Sequence, residues 1–202
     1  MPVYPGVPAP EFFPLLDHES SRERYHNAAE FYLGLTHIPG NTGTYIDSPF
    51  HRYPSGEDLS RLPLESIVGL PGVVIDPPAE QREIVVAGQR DLTGRAILFR
   101  TGWDRRWGTD AYWEPAPYLG ERAIDTLIEV EAALVGVDFW NVDDTDDPAR
   151  PAHTRLLAAG IPIVEHLCNL EGLPTNGFRF SAPVLAIEGG ASFPVRAFAE
   201  ID

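Results

Sequence analysis

Aspartate, glutamate and histidine bind divalent metals and move protons near neutral pH, and two short stretches of this chain supply them. The segment GNTGTYIDSPFHRY (40–53) carries Asp47 and His51; PAHTRLLAAGIPIVEHL (151–167) carries His153 and Glu165. Read as a strand, 161–167 puts Glu165 on the same face as Ile161, Ile163 and Leu167, where apolar groups pack. A carboxylate buried there needs a cation, a metal or a proton. Taken singly, a paired arginine is the ordinary answer for Glu165, and a surface or capping role the ordinary one for His153. Taken together, one Asp, one Glu and two His are a common ligand set for zinc or manganese.

The first stretch raises a second question. If 41–47 is an extended strand ending at Pro49, then Asn41, Gly43, Tyr45 and Asp47 share one face. Asn41 and Tyr45 are poor metal ligands, since an amide oxygen donates weakly and a phenol holds its proton near pH 7. They suit hydrogen bonding to a substrate better. His37, four residues before Asn41, is an alternative ligand or a surface loop histidine. The acidic DDTDDP (143–148) lacks the glycine and terminal glutamate of a calcium loop and reads as a solvated or helix-capping turn. GWDRRWGTDAYWEPAPY (102–118), which includes Trp103, is either a packed excursion or an aromatic wall over a flat substrate. No G-x-S-x-G motif supports serine-nucleophile chemistry, and Cys168 reads as a core residue.

These side chains must be positioned by elements that alternate along the chain. Apolar runs at 72–76, 83–88, 95–102, 134–143, 161–167, 178–187 and 193–201 read as strands. Residues 119–133 repeat Ala123, Leu127, Val130 and Leu134 at helical spacing, and 151–160 opens with Pro151 and closes with Gly160 as a helix. A capping serine makes 20–32 a short helix or the lead into a strand, and 55–69 reads as loop and short helical turns. Helices alternating with strands in the second half predict an α/β domain with parallel pairing; the strand-rich first half predicts a further β layer. One domain over 1–202 is expected, with proline-rich 1–18 as an extended arm over the surface or a partner subunit.

Composition narrows the function classes. The net charge is −15, and all 15 basic residues are arginine. Such acidity disfavours nucleic acid and anionic membranes as partners, and the missing lysine excludes a lysine Schiff base. One cysteine, no apolar run long enough to span a bilayer and an amino terminus without a basic leader point to a cytoplasmic protein.

NTGTYIDSPFH resembles the signature H-x-G-T-H-x-D-x-P-x-H of the cyclase-like metal-dependent hydrolases, which include kynurenine formamidase and isatin hydrolase. ILFRTGW (97–103), VGVDFWNVD (135–143), HTRLLAAGIPIVEHLCNLEGL (153–173) and IEGGASFPVRAFAEI (187–201) look like further blocks of that family in the same order. The resemblance implies an α/β domain of the swivelling β/β/α type: a mixed sheet with flanking helices and a second β layer. It implies Asp47, His153 and Glu165 as ligands of one divalent ion, zinc or manganese, and His51 as the acid/base. Asn41 and Tyr45 stand where the signature has histidines, which puts the metal count at one or none. The expected activity is hydrolysis of an amide, lactam or ester of a small compound. His51, Tyr45 and Asp47 would be catalytic, with Asn41, Tyr45 and Trp103 against the substrate. A metal-free cyclase, dehydratase or isomerase using Tyr45, Asp47 and His51, or a silent small-molecule binder, is the alternative. A homo-oligomer, dimer or tetramer, is also expected from the resemblance.

Overall fold

A computed structural model describes residues 1, 10–79, 81–86 and 91–201 of the chain. In chain order the elements are β1 (Glu11–Leu16), α1 (His18–Arg24), β2 (Leu33–His37), β3 (Tyr45–Asp47), β4 (Leu70–Ile75), β5 (Glu83–Ile84), β6 (Ala96–Phe99) and β7 (Tyr118–Leu119). There follow α2 (Glu121–Glu129), β8 (Leu134–Val137), α3 (Pro151–Ala158), β9 (Ile163–Glu165), β10 (Asn176–Ser181), β11 (Ser192–Pro194) and β12 (Phe198–Ile201). Eight strands form one mixed sheet in the order β11-β3-β9-β8-β6-β4-β10-β12. Its centre, β9-β8-β6-β4, is parallel, and β3, β11, β10 and β12 are antiparallel additions. The expected mixed α/β architecture is therefore present, with further β structure in two two-stranded sheets, β1-β2 and β5-β7.

The central strands are apolar throughout because both their faces are covered. On β6, Ile97 and Phe99 pack with Ala123, Ile124 and Leu127 of α2 and Leu156 of α3, whereas Ala96 and Leu98 pack with Ile46, Ile67 and Phe180 on the other side. Each such fully buried large side chain stabilises the fold by about 1.5–3 kcal/mol.

The run 193–201 is two strands, not one, and they lie on opposite edges of the sheet. Seven flat inter-strand gaps would separate those edges by about 34 Å. The residues between Pro194 and Phe198 reach about 14 Å at full extension. The sheet must therefore curl until its edges approach, which brings the β11 edge round towards β12.

Other expected boundaries also shift. The strand predicted over 41–47 begins only at Tyr45. Thr42 N–H closes a turn on Pro39 C=O (3.2 Å) and Gly43 sits at φ 65°, so Asn41 leaves the face that Tyr45 and Asp47 share. The run 134–143 is strand only to Val137, and 161–167 only between Ile163 and Glu165, where His166 turns off at φ 56°. The run 83–88 is strand at Glu83–Ile84, and its last two residues lie outside the described residues. The helix considered over 20–32 occupies His18–Arg24. Among the described residues no helix is long and apolar enough to cross a membrane.

Candidate active site

β3 and β9 lie side by side, with Tyr45 opposite Glu165 and Asp47 opposite Ile163. This register puts two carboxylates on adjacent strands, both fully buried. Glu165 has a donor on each oxygen: the Tyr45 hydroxyl bonds Oε2 and the Val142 N–H bonds Oε1 (2.7 Å). Asp47 differs. Ser192 Oγ donates to Oδ1, while Oδ2 is buried with no hydrogen-bond partner.

His153 comes from the first turn of α3. Asp143, at the end of the loop after β8, accepts from the N–H groups of Ala152 (2.5 Å) and His153 (3.2 Å) and from the His153 ring at Nδ1 (2.6 Å). Asp143 thus caps the helix and fixes its histidine at once. With Nδ1 held this way, Nε2 faces the carboxylates, 3.7 Å from Asp47 Oδ2 and 3.7 Å from Glu165 Oε1. These gaps are too long for hydrogen bonds. They are close to the roughly 3.4 Å edge of a tetrahedron of nitrogen and oxygen ligands about 2.1 Å from a metal. Asp47, His51 and His153 form a second overlapping group whose ligand atoms lie within 4.8 Å of one another. An unpartnered buried oxygen beside an aimed imidazole fits a divalent cation, and the carboxylate-on-histidine arrangement is a usual support for one.

The electrostatics agree. Burial pushes the Glu165 carboxyl above the ordinary range, with neighbouring Asp47 adding to it and His153 opposing it. For His153, burial opposes a charge, but the hydrogen bond to Asp143 and the facing Asp47 and Glu165 carboxylates outweigh it and carry the pKa up to about 10. Tyr45 is held well above 10.0 by burial and by the two carboxylates, so it keeps its proton and donates it to Glu165.

His51 ends the short 3-10 turn Pro49–His51 that follows β3. Its side chain is 41% exposed, its ring is centred 5.5 Å from that of His153, and its Nδ1 lies 3.1 Å from Ser192 Oγ. Ser192 reaches this point because β11 pairs with β3 and sets it opposite Asp47. Gly40 makes room: a Cβ there would lie 2.5 Å from the Ser192 carbonyl oxygen.

The structure therefore brings Tyr45, Asp47, His51, His153 and Glu165 together. Asn41 is exposed in the turn before β3, and His37 is exposed on β2, 3.6 Å from Glu11. Trp103 opens the excursion, where its indole N–H donates to Tyr112 C=O (2.9 Å) and Arg106 covers its face at 3.9 Å. Other rings gather round the residue after Glu165: Tyr45, Trp107, Tyr112 and Trp113 surround His166, and Trp113 meets Trp140 edge-on. Tyr112 Oη bonds His166 Nδ1 (2.8 Å). Asp143 and Ser192 were not singled out from the sequence. The capping reading of 143–148 pointed at Asp143; Ser192 has no local signal, because its role comes from cross-strand pairing.

Comparisons with known proteins identify the chain's relatives. The Cyclase family, described as "Putative cyclase", matches residues 1–144. A kynurenine formamidase of Salinibacter ruber is 33% identical over 180 residues, covering 86% of this chain and 82% of that protein. The structure of isatin hydrolase A from Ralstonia solanacearum superposes with a TM-score of 0.81 at 26% identity, covering 98% of this chain and 84% of that one. A predicted metal-dependent hydrolase from Bacillus stearothermophilus shares the fold, with a TM-score of 0.76 at 22% identity over 98% of this chain and 93% of that one. With that family match and a formamidase similar along most of both chains, this chain belongs to the cyclase family.

Proposed function

We propose that this protein is a hydrolase of amide C–N bonds, acting on an aryl formamide or a ring-fused lactam, with one divalent ion held by Asp47, His153 and Glu165. The membership in a family with kynurenine formamidases, and the likeness to isatin hydrolases, support the reaction class. The observation that carries the metal reading is the gap itself: a buried Asp47 oxygen with no hydrogen-bond partner, and a His153 Nε2 too far off to bond either it or Glu165. Oxygen-rich ligation with one imidazole suits zinc or manganese. When bound, such an ion supplies Lewis acidity toward the scissile carbonyl and lowers the pKa of water.

The chain's own groups do the rest. His51, open to solvent on one side, takes a proton from the attacking water and returns it to the leaving nitrogen. The carbonyl carbon gains the water oxygen, the C–N bond breaks, and the products are an amine and a carboxylate. Tyr45 secures Glu165, so its single proton is committed there and not to the substrate. Trp113, 49% exposed, and Trp140 offer flat faces for an aryl group. Asn41 and Trp103 would meet the substrate only at its periphery.

A second copy of the chain is the proposed partner. The two-stranded β1-β2 sheet exposes Phe12, Phe13, Leu15, Leu33 and Leu35, and a two-stranded sheet is marginal unless covered. The lone cysteine and the acidic composition fit a cytoplasmic enzyme. The reading is tested with zinc- or manganese-loaded protein on kynurenine formamide and on isatin. Turnover that falls by roughly 10²–10⁴-fold in His51→Ala is expected; an inactive loaded enzyme, or an unaffected variant, contradicts it.

A further inference from the structure

We infer that Ser192 is a positioning residue that fixes the tautomer of His51, so that Nε2 is the nitrogen exchanging protons with the reacting groups. The inference rests on the acid/base role proposed for His51. It starts from proton counting. A serine hydroxyl has one proton to donate and lone pairs to accept with. Asp47 is an acceptor, and Ser192 Oγ lies within hydrogen-bond reach of its Oδ1, so the serine proton is committed to Asp47. The other neighbour of Oγ is His51 Nδ1 at 3.1 Å, and that contact is favourable only if Nδ1 carries the hydrogen. The reverse arrangement would turn serine and aspartate lone pairs toward each other in a part-buried pair. Direct capture of Nδ1–H by Asp47 is not available, because Nδ1 and Oδ1 are 3.5 Å apart.

Neutral His51 therefore carries its hydrogen on Nδ1 and its free lone pair on Nε2. When Nε2 takes a proton, the Nδ1–H to Ser192 bond persists, so the ring need not turn over between the two halves of the reaction. Ser192 also consumes Oδ1 of Asp47 and leaves Oδ2 to the metal side, separating the two tasks of that carboxylate. The geometry is built by the ladder, not by chance at a flexible tip. Ser192 pairs with Asp47 across β11 and β3, Ser48 N–H holds Ala191 C=O at 2.9 Å, and Gly40 lies against the Ser192 carbonyl.

The test is nitrogen NMR on histidine-labelled, metal-loaded protein, with kinetics on isatin or kynurenine formamide. Wild type should show His51 as the Nδ1–H tautomer. Ser192→Ala should move it toward the Nε2–H tautomer and lower kcat about 10–100-fold at saturating metal with KM unchanged; metal affinity falls as well, because Asp47 Oδ1 loses its donor. Ser192→Thr, which keeps the hydroxyl, should restore both signals. An unshifted His51 tautomer in Ser192→Ala overturns the inference. So does recovery of full kcat in that variant at saturating metal, which would place the serine's effect on Asp47 alone. If wild type turns over neither compound, the proposed function fails, while the tautomer measurement still decides the role of Ser192.

Discussion

The two buried carboxylates on β3 and β9 are equally hidden from water, yet only one is finished. Glu165 has a donor on each oxygen, from Tyr45 and from the Val142 backbone. Asp47 has Ser192 on one oxygen and nothing on the other. Leaving a buried acceptor unmade costs about 1–3 kcal/mol, more for a charged one, so Asp47 Oδ2 is the oxygen on which the proposed ion would act. The side by Tyr45 is closed by its hydrogen bond to Glu165; on the proposed reading the chemistry lies on the open side, between Asp47 and His153. The phenol at position 45 therefore does more than remove a ligand. It supplies Glu165 with a proton donor.

That contrast can be broken from its open side first. Asp143→Asn removes the carboxylate that aims His153, and metal affinity should fall roughly 10–100-fold, read by titration of the purified variant. Little change would mean that His153 is not a ligand. On the closed side, Tyr45→Phe strips the donor from Glu165 Oε2, and should lower unfolding free energy by about 1–3 kcal/mol in denaturant titrations while the metal stoichiometry stays the same. A change in stoichiometry would show that the phenol does more than hold Glu165.

A third test concerns pH in metal-free protein. His153 has its folded pKa raised from 6.5 to about 10 by Asp143, Asp47 and Glu165 against the cost of burial. Its contribution to stability is full below the unfolded value and is lost as pH rises through the folded one. Metal-free protein should thus lose stability between about pH 6.5 and 10, and Asp143→Asn should flatten that slope. A stability that rises with pH across this window would contradict the assigned partners.

The halves of the molecule differ in how much their residues announced. Runs such as AILF and LVGV are apolar at every position, so their burial on both faces and their place in a parallel sheet could be read directly. Asp47, His51, His153 and Glu165 were legible as residue types that bind metals or move protons, and through the resemblance of 41–51 and 153–173 to family blocks. What stayed hidden depended on long-range geometry. Nothing local splits 193–201 into two strands on opposite sheet edges, since that follows from the curl of the whole sheet. Ser192 became visible only when β11 was set against β3. Asn41 was placed on the site face by strand alternation, and the turn at Gly43 breaks that alternation two residues before the strand starts.

The central claim is a single ion on the open side, with Tyr45 closing the other. Protein purified without chelators and titrated with zinc or manganese, with bound metal quantified per chain, tests it most directly. One ion per chain, lost in Asp47→Asn, is the predicted result. No bound ion, or two ions per chain, would contradict it.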